Sequence, residues 1–325
     1  MRAMVCDAFG PPDVLRAVDL PDPPLPPDGV RIRVRAAGIN FADGLFIAGQ
    51  YQIRPRPPFI PGFEVAGDIL EVGSQVLDLR PGQRVMAILD QGGYADQVVA
   101  PARDVHALTD RMDILAAGGF PIAYGTSHFG LTDRCRLRPG EIVLIHGAAG
   151  GVGLTAVECA KALGATVIAT AGGADRLEIA RQHGADYGID HRSENIKARV
   201  RELTGGRGVD VVYDPVGGDV FDASLRCTAP DGRILVVGFA SGAIPTPPAN
   251  LLLVKNITVI GFNWGGYRQI AEQRVRESME DVVSWWDRGL VTPHVGARFA
   301  LSQAAEALDA LKERKIIGKA VLIPD

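Results

Sequence analysis

Seven residues near the middle of the chain, Gly147-Ala-Ala-Gly-Gly-Val-Gly153, can hold an anion without any charged side chain. An apolar run at 141–146 leads into them, and a helical pattern at 151–163 leaves them. Such a turn aims backbone N–H groups, those of Gly150, Gly151 and Val152 among them, and the positive end of a helix dipole at a phosphate. Against the pattern G-x-G-x-x-G, Ala148 takes the first position, while Gly150 and Gly153 keep the second and third. Gly150 admits close approach of a pyrophosphate, and Gly153 lets helix and strand pack tightly. A glycine-rich turn can also serve structure alone, but here strand–helix units follow it in series, which favours a dinucleotide.

The end of the next strand bears on which dinucleotide. It reads Thr170-Ala-Gly-Gly-Ala-Asp-Arg176. A site for NAD usually carries a carboxylate at this strand end, bonded to the ribose 2′-hydroxyl. None stands there, Arg176 is near enough to pair with a 2′-phosphate, and His191-Arg192 after the following strand adds donors. The expectation is NADPH (NADP). Asp175 argues against it, and Arg176 also reads as a solvated first-turn residue.

The elements that must position these groups fall into two kinds. Before residue 121 the chain is β-rich: Val30–Ala36 alternates apolar and basic residues, and Glu64–Val72 and Arg84–Leu89 follow as strands. After it, strands at 141–146, 166–170, 187–190, 209–214 and 233–239 alternate with helices at 151–163, 175–183 and 194–203, as in a doubly wound sheet. Gly164 and Gly184 are placed to stop two of the helices. Residues 256–262 read as a last strand of that sheet, 268–288 as one long helix, 304–314 as another, and the chain ends in a strand from Lys319.

Bulk properties narrow the function classes. A chain of 325 residues exceeds what one core usually supports. A net charge of −4 gives no reason to expect nucleic acid or acidic membranes as partners. The four cysteines, at 6, 135, 159 and 227, lack zinc-knuckle, redox-pair or disulfide-framework spacing. With neither a signal-like start nor a membrane-length apolar run, the expectation is a cytoplasmic protein.

The chain resembles the medium-chain dehydrogenase/reductase superfamily and, within it, the zinc-independent NADPH:quinone oxidoreductase (zeta-crystallin-like) branch. The resemblance is carried by Ala36-Ala-Gly-Ile-Asn-Phe-Ala-Asp43, Pro61-Gly-Phe-Glu-Val-Ala-Gly67, Pro81-Gly-Gln-Arg-Val85, His146–Gly153, Val209–Gly218 and Gly318-Lys-Ala-Val-Leu322. It implies an α/β fold in which a Rossmann domain, residues 124–266, is inserted in a GroES-like catalytic domain, residues 1–123 and 267–325. Zinc-dependent relatives have a cysteine at Asn40 and a histidine at Phe63, so no metal is expected. In similar proteins the counterparts of Asn40, Asp43 and Tyr51 line the substrate site. By the same likeness Thr126, Phe239 and Lys319 contact the cofactor. Each has an ordinary alternative: a turn for Asn40, a local cap for Asp43, an interfacial aromatic for Tyr51, a solvated side chain for Lys319. His146 is expected to pack beneath the glycine turn. The implied activity is hydride transfer from NADPH to a quinone or α,β-unsaturated carbonyl by a homodimer. A 2-enoyl-thioester reductase and a low-activity NADPH-binding protein stay open as alternatives.

Overall fold

A computed structural model describes all residues, Met1 to Asp325. In chain order the elements are β1 (Arg2–Cys6), β2 (Leu15–Asp19), β3 (Gly29–Ile39), α1 (Phe41–Ile47), β4 (Glu64–Val72), β5 (Arg84–Ile88), β6 (Gln97–Pro101), β7 (Val105–Ala107), α2 (Ile114–Gly118) and α3 (Pro121–Phe129). There follow β8 (Ile142–Ile145), α4 (Gly151–Ala162), β9 (Thr166–Ala171), α5 (Ala174–Gln182), β10 (Tyr187–Asp190), α6 (Ile196–Leu203), β11 (Val209–Asp214), α7 (Asp219–Cys227) and β12 (Thr228–Val236). The chain closes with α8 (Ala249–Lys255), β13 (Thr258–Gly261), α9 (Trp264–Ile270), α10 (Glu272–Asp287), β14 (Val295–Ala300), α11 (Ala304–Lys312) and β15 (Lys319–Ile323).

Two compact units result, Met1–Ile122 with Pro293–Asp325, and Ala123–Thr292. In the first, the central strand is β3, where buried Val30, Ile32 and Val34 alternate with arginines 31, 33 and 35, the period of a strand with one face in the core. β4 runs antiparallel along one edge of β3, and β6 and then β15 pair with it as well. Ala320 pairs with Ile39 and Val65 with Ala37, so Lys319 and Glu64 both enter their strands where β3 ends. The C-terminal strand thus completes a sheet begun by the N-terminal third, giving the GroES-like unit its two-part sequence.

The second unit holds a parallel six-stranded sheet in the order β10-β9-β8-β11-β12-β13. This is the doubly wound order, with its switch point between β8 and β11, where ligands bind at strand C-termini. Leu144, Ile168, Ile189, Val212 and Ile234, from five adjacent strands, are buried in one core. Gly164 and Gly184 follow α4 and α5 with φ of +80° and +108°, the left-handed stop expected of a C′ glycine.

Three stretches depart from the sequence reading. The helix expected over 268–288 is broken at Ala271, whose φ of −151° and ψ of 51° are not helical. Residues 267–292, grouped above with the catalytic domain, lie in the Rossmann unit: Val275, Met279 and Val282 are buried there, and Ser278 Oγ meets His128 Nδ1 at 2.7 Å. The strand expected at 233–239 runs instead from Thr228 to Val236. No helix is long and apolar enough to cross a membrane, and all four cysteines are free and buried.

Candidate active site

In the Rossmann unit, α4 opens at Gly151 from an N-cap glycine, Gly150, with no side chain capping its first-turn N–H groups. An uncapped helix start leaves donors for an anion. Gly147 supplies the turn with φ of +58°, and its carbonyl accepts from the Gly150 N–H at 2.8 Å. A Cβ at 153 would overlap that same carbonyl oxygen, so only glycine fits beneath the turn. His146 lies under it with both ring nitrogens occupied, Nδ1 by Thr170 Oγ1 at 3.0 Å and Nε2 by Ser224 Oγ at 2.7 Å. Burial holds this imidazole below its ordinary pKa, and the site suits a neutral ring.

Beside the turn, Asp190 Oδ1 at the end of β10 accepts from the N–H groups of Gly173 (3.1 Å) and Arg192 (3.0 Å). These bonds hold its carboxyl below the usual range. The Arg192 side chain lies against Gly172, just beyond the end of β9. A Cβ at Gly172 would lie 2.7 Å from Arg192 Nε. The Arg192 guanidinium and the Asp190 carboxylate thus both border the turn that follows β9. His191 is exposed next to it, its N–H bonded to the Ala171 carbonyl at 3.2 Å, and Arg176 is half-buried in the first turn of α5. Phe239 follows β12, and its ring packs on Gly217 after β11, across the switch point from the glycine turn. Thr126 is 8% exposed on α3. Its neighbour Ser127 ties α3 to α4 through Val152 O (3.0 Å) and Thr155 Oγ1 (2.8 Å), and meets Tyr213 Oη at 3.0 Å.

The GroES-like unit collects the other candidates. Asn40 is the N-cap of α1 and donates its backbone N–H to Asp43 Oδ2 at 2.7 Å, so the cap expected of Asp43 is present. Their side chains nevertheless do more than cap. Asn40 Nδ2 donates to Glu64 Oε1 at 2.8 Å, and Asn40 Oδ1 accepts from Lys319 Nζ at 2.7 Å. Lys319 Nζ also donates to Glu64 Oε1 (2.8 Å) and Ile39 O (2.9 Å). All three ammonium hydrogens are thereby committed within this unit. Lys319, expected at the cofactor, is held at Asn40.

Space for this cluster comes from Gly38, where any Cβ would collide with Glu64 Oε1. Glu64 Oε2 takes the Ile122 N–H at 2.8 Å. Asp43 and Glu64 are both fully buried, yet only one cation, Lys319, reaches them, and it contacts Glu64. Burial therefore raises Asp43 to about 7, against the pull of hydrogen bonds from the Asn40 N–H and Tyr94 Oη and of the Lys319 charge. Asp43 Oδ1 has no hydrogen-bond partner, which makes it the natural seat for that proton. Tyr51 is half-buried against Phe46 and Phe63, with ring centroids 6.2 and 5.7 Å away. Burial and the nearby Asp43 charge raise its hydroxyl, keeping it a donor. Glu64, Tyr94 and Ser127 escaped the sequence reading. Of these only Glu64 left a signal, a carboxylate leading the apolar strand Val65–Ala66.

Comparison with known proteins follows the same division. Residues 26–110 match the family described as alcohol dehydrogenase GroES-like domain, and residues 151–284 that described as zinc-binding dehydrogenase. A "Quinone oxidoreductase-like protein 2 homolog" of Nematostella vectensis is 40% identical over 324 residues, 99% of this chain and 88% of the relative. A Pseudomonas aeruginosa "Quinone oxidoreductase" is 37% identical, over 98% of each chain. The crystal structure of an Escherichia coli quinone oxidoreductase complexed with NADPH superposes with a TM-score of 0.92 at 31% identity, covering 100% of both chains. With such likeness over both units, this chain belongs to the quinone oxidoreductases of the medium-chain dehydrogenase/reductase superfamily.

Proposed function

We propose that the protein reduces quinones or α,β-unsaturated carbonyls with NADPH and without a metal. The observation that carries this reading is the cluster around Asn40. Zinc-dependent relatives place a metal ligand at this position, and here the only side-chain acceptor, Oδ1, already faces the Lys319 ammonium at 2.7 Å. A second cation would meet that charge head-on. Phe63, at the other ligand position, offers no donor atom and packs its ring on Phe46 at 5.1 Å. Without a Lewis acid, the suitable acceptors are those that delocalise the arriving charge themselves.

The Rossmann unit fits NADPH. The uncapped start of α4 at Gly150, Gly151 and Val152 takes the pyrophosphate, and Arg192, with His191 and Arg176, takes the 2′-phosphate. Thr126 and Phe239 are assigned to the nicotinamide end. Bound NADPH supplies a hydride. Conversion of NADPH, acceptor and one proton to NADP⁺ and reduced acceptor leaves the protein to steady the acceptor oxygen and furnish that proton. Asn40 and Tyr51 donate hydrogen bonds to the oxygen, and neutral Asp43 stores the proton.

Turnover of a panel of quinones, enones and 2-enoyl thioesters with NADPH and NADH tests the reading. Oxidation of NADPH by quinones or enones is expected; turnover confined to thioesters would favour the enoyl reductase alternative. Arg192→Ala should raise the Kd for NADPH about 10-fold or more by removing a charge-assisted bond, while leaving that for NADH within about twofold. Equal losses for both cofactors, measured by fluorescence titration, would detach Arg192 from the 2′-phosphate.

The homodimer belongs to the same proposal. β13 is the outer strand of its sheet, and near it Leu253 and Val254 are 76% and 73% exposed. Pairing β13 with its copy would cover them. Leu253→Asp with Val254→Asp should shift sedimentation from dimer to monomer, and an unchanged species would refute this contact. Buried, reduced cysteines suit a cytoplasmic location.

A further inference from the structure

Glu64 and Lys319 form an ion pair with side-chain exposures of 0% and 8% and an N···O distance of 2.8 Å. Burying such a pair is a poor way to gain stability, since desolvation offsets most of the attraction. Its geometry suggests another use. Lys319 can only donate, so the Asn40 atom it touches must be the carbonyl oxygen; the Glu64 carboxylate can only accept, so the atom it touches must be the amide nitrogen. Both ends of one carboxamide are thereby addressed by opposite charges that also bind each other. A 180° flip would set an oxygen against a carboxylate and an NH2 against an ammonium. One Asn40 N–H is left over, and its direction is set.

We infer that the Glu64–Lys319 pair is a positioning device that locks the Asn40 carboxamide as a one-way hydrogen-bond donor to the oxygen of the acceptor. Lys319 and Glu64 do not themselves touch the acceptor. The site then selects acceptors presenting a lone pair, a quinone or enone carbonyl, and disfavours those presenting a hydroxyl donor at that point. A donor fixed before reaction stabilises the charge that grows on the oxygen as hydride arrives, without reorganising at that moment. This inference rests on the reductase reading given above.

A double-mutant cycle separates positioning from mere structure. Glu64→Gln with Lys319→Met removes both charges together, avoiding the unpaired buried charge a single change would leave. Asn40→Ala is expected to lower kcat for a quinone about 30-fold at nearly constant KM, and the paired change about 10-fold. Combined, they should cost little more than Asn40→Ala alone, because an unlocked amide has little left to lose. Multiplication to about 300-fold would overturn the inference while leaving the reductase reading intact. Absence of turnover by the wild-type protein would overturn both.

A readout independent of activity and of the variants' folding uses the wild-type protein. Asn40 is one of five asparagines, so labelling with ¹⁵N-asparagine resolves its side chain. Its NH2 pair is expected to exchange slowly with solvent, and one of the two protons to shift when an unreactive ketone binds together with NADP⁺. An Asn40 pair that exchanges as fast as those of exposed asparagines would contradict the lock.

Discussion

Gly153→Ala is expected to weaken NADPH binding at least about 100-fold, equivalent to roughly 2.7 kcal/mol. The added methyl would overlap the Gly147 carbonyl oxygen and crowd Ala148 Cα at 3.0 Å. That carbonyl cannot retreat alone, because it accepts the Gly150 N–H at 2.8 Å and belongs to a residue with φ of +58°. The whole turn must move, and the N–H groups opening α4 then no longer converge on one anion. Overpacking of this kind should also cost about 1–3 kcal/mol of stability, so thermal unfolding is followed in parallel. Gly150→Ala is a control for stability alone: its Cβ would stand 3.3 Å from the same oxygen, a contact that a small adjustment relieves, so its unfolding should stay near wild type. Near-wild-type affinity in Gly153→Ala, measured by fluorescence titration, would remove the glycine turn from the cofactor site.

Asp43 should make both turnover and stability depend on pH in a direction that is unusual for a carboxylate. In the folded chain it holds its proton up to about pH 7, whereas the unfolded chain releases it near 3.8. Between those values the folded state binds more protons, so the stability contributed by this group is full below pH 4 and falls as pH rises to about 7. Between pH 5 and 8 the loss is roughly 2–3 kcal/mol by linkage. Asp43→Asn carries no titration here, yet its amide oxygen can still accept from the Asn40 N–H and Tyr94. Denaturant midpoints of wild type and variant should therefore diverge across this window, the wild type gaining relative stability on acidification. If neutral Asp43 supplies the proton, kcat of the wild type should also fall above pH 7, and the variant should lose that limb. Parallel stability and rate profiles for the two proteins would show that Asp43 titrates elsewhere.

How much of this was legible in the sequence depended on how local its cause was. Strands β4 and β11 were read to the residue, because stretches rich in β-branched residues and bounded by turn residues specify extended chain without help from afar. The glycine stops at 164 and 184 were equally local. Helix α1 was not read: it has seven residues, and its start depends on the Asn40–Asp43 capping bond rather than on an apolar period. The placement of 267–292 was hidden for the opposite reason. Its amphipathic helix would suit either unit by pattern, and the contact that decides, His128 with Ser278, spans 150 positions. The task of Lys319 was least legible of all, since its partners Glu64 and Asn40 lie 255 and 279 residues earlier. Asn40 and Asp43 stand in the motif Ala36–Asp43, while Tyr51 was named by likeness alone. What holds Asn40 in one orientation required the ends of three strands to be seen together.

The most direct test of the central claim is a single turnover with NADPH carrying deuterium at C4, using chelator-treated, zinc-free protein and a small enone. Direct hydride transfer without a metal predicts one deuterium on the β-carbon of the product when the transferred face is labelled, at a rate unchanged by chelation. Product without deuterium, or turnover that returns only when zinc is added, would contradict it.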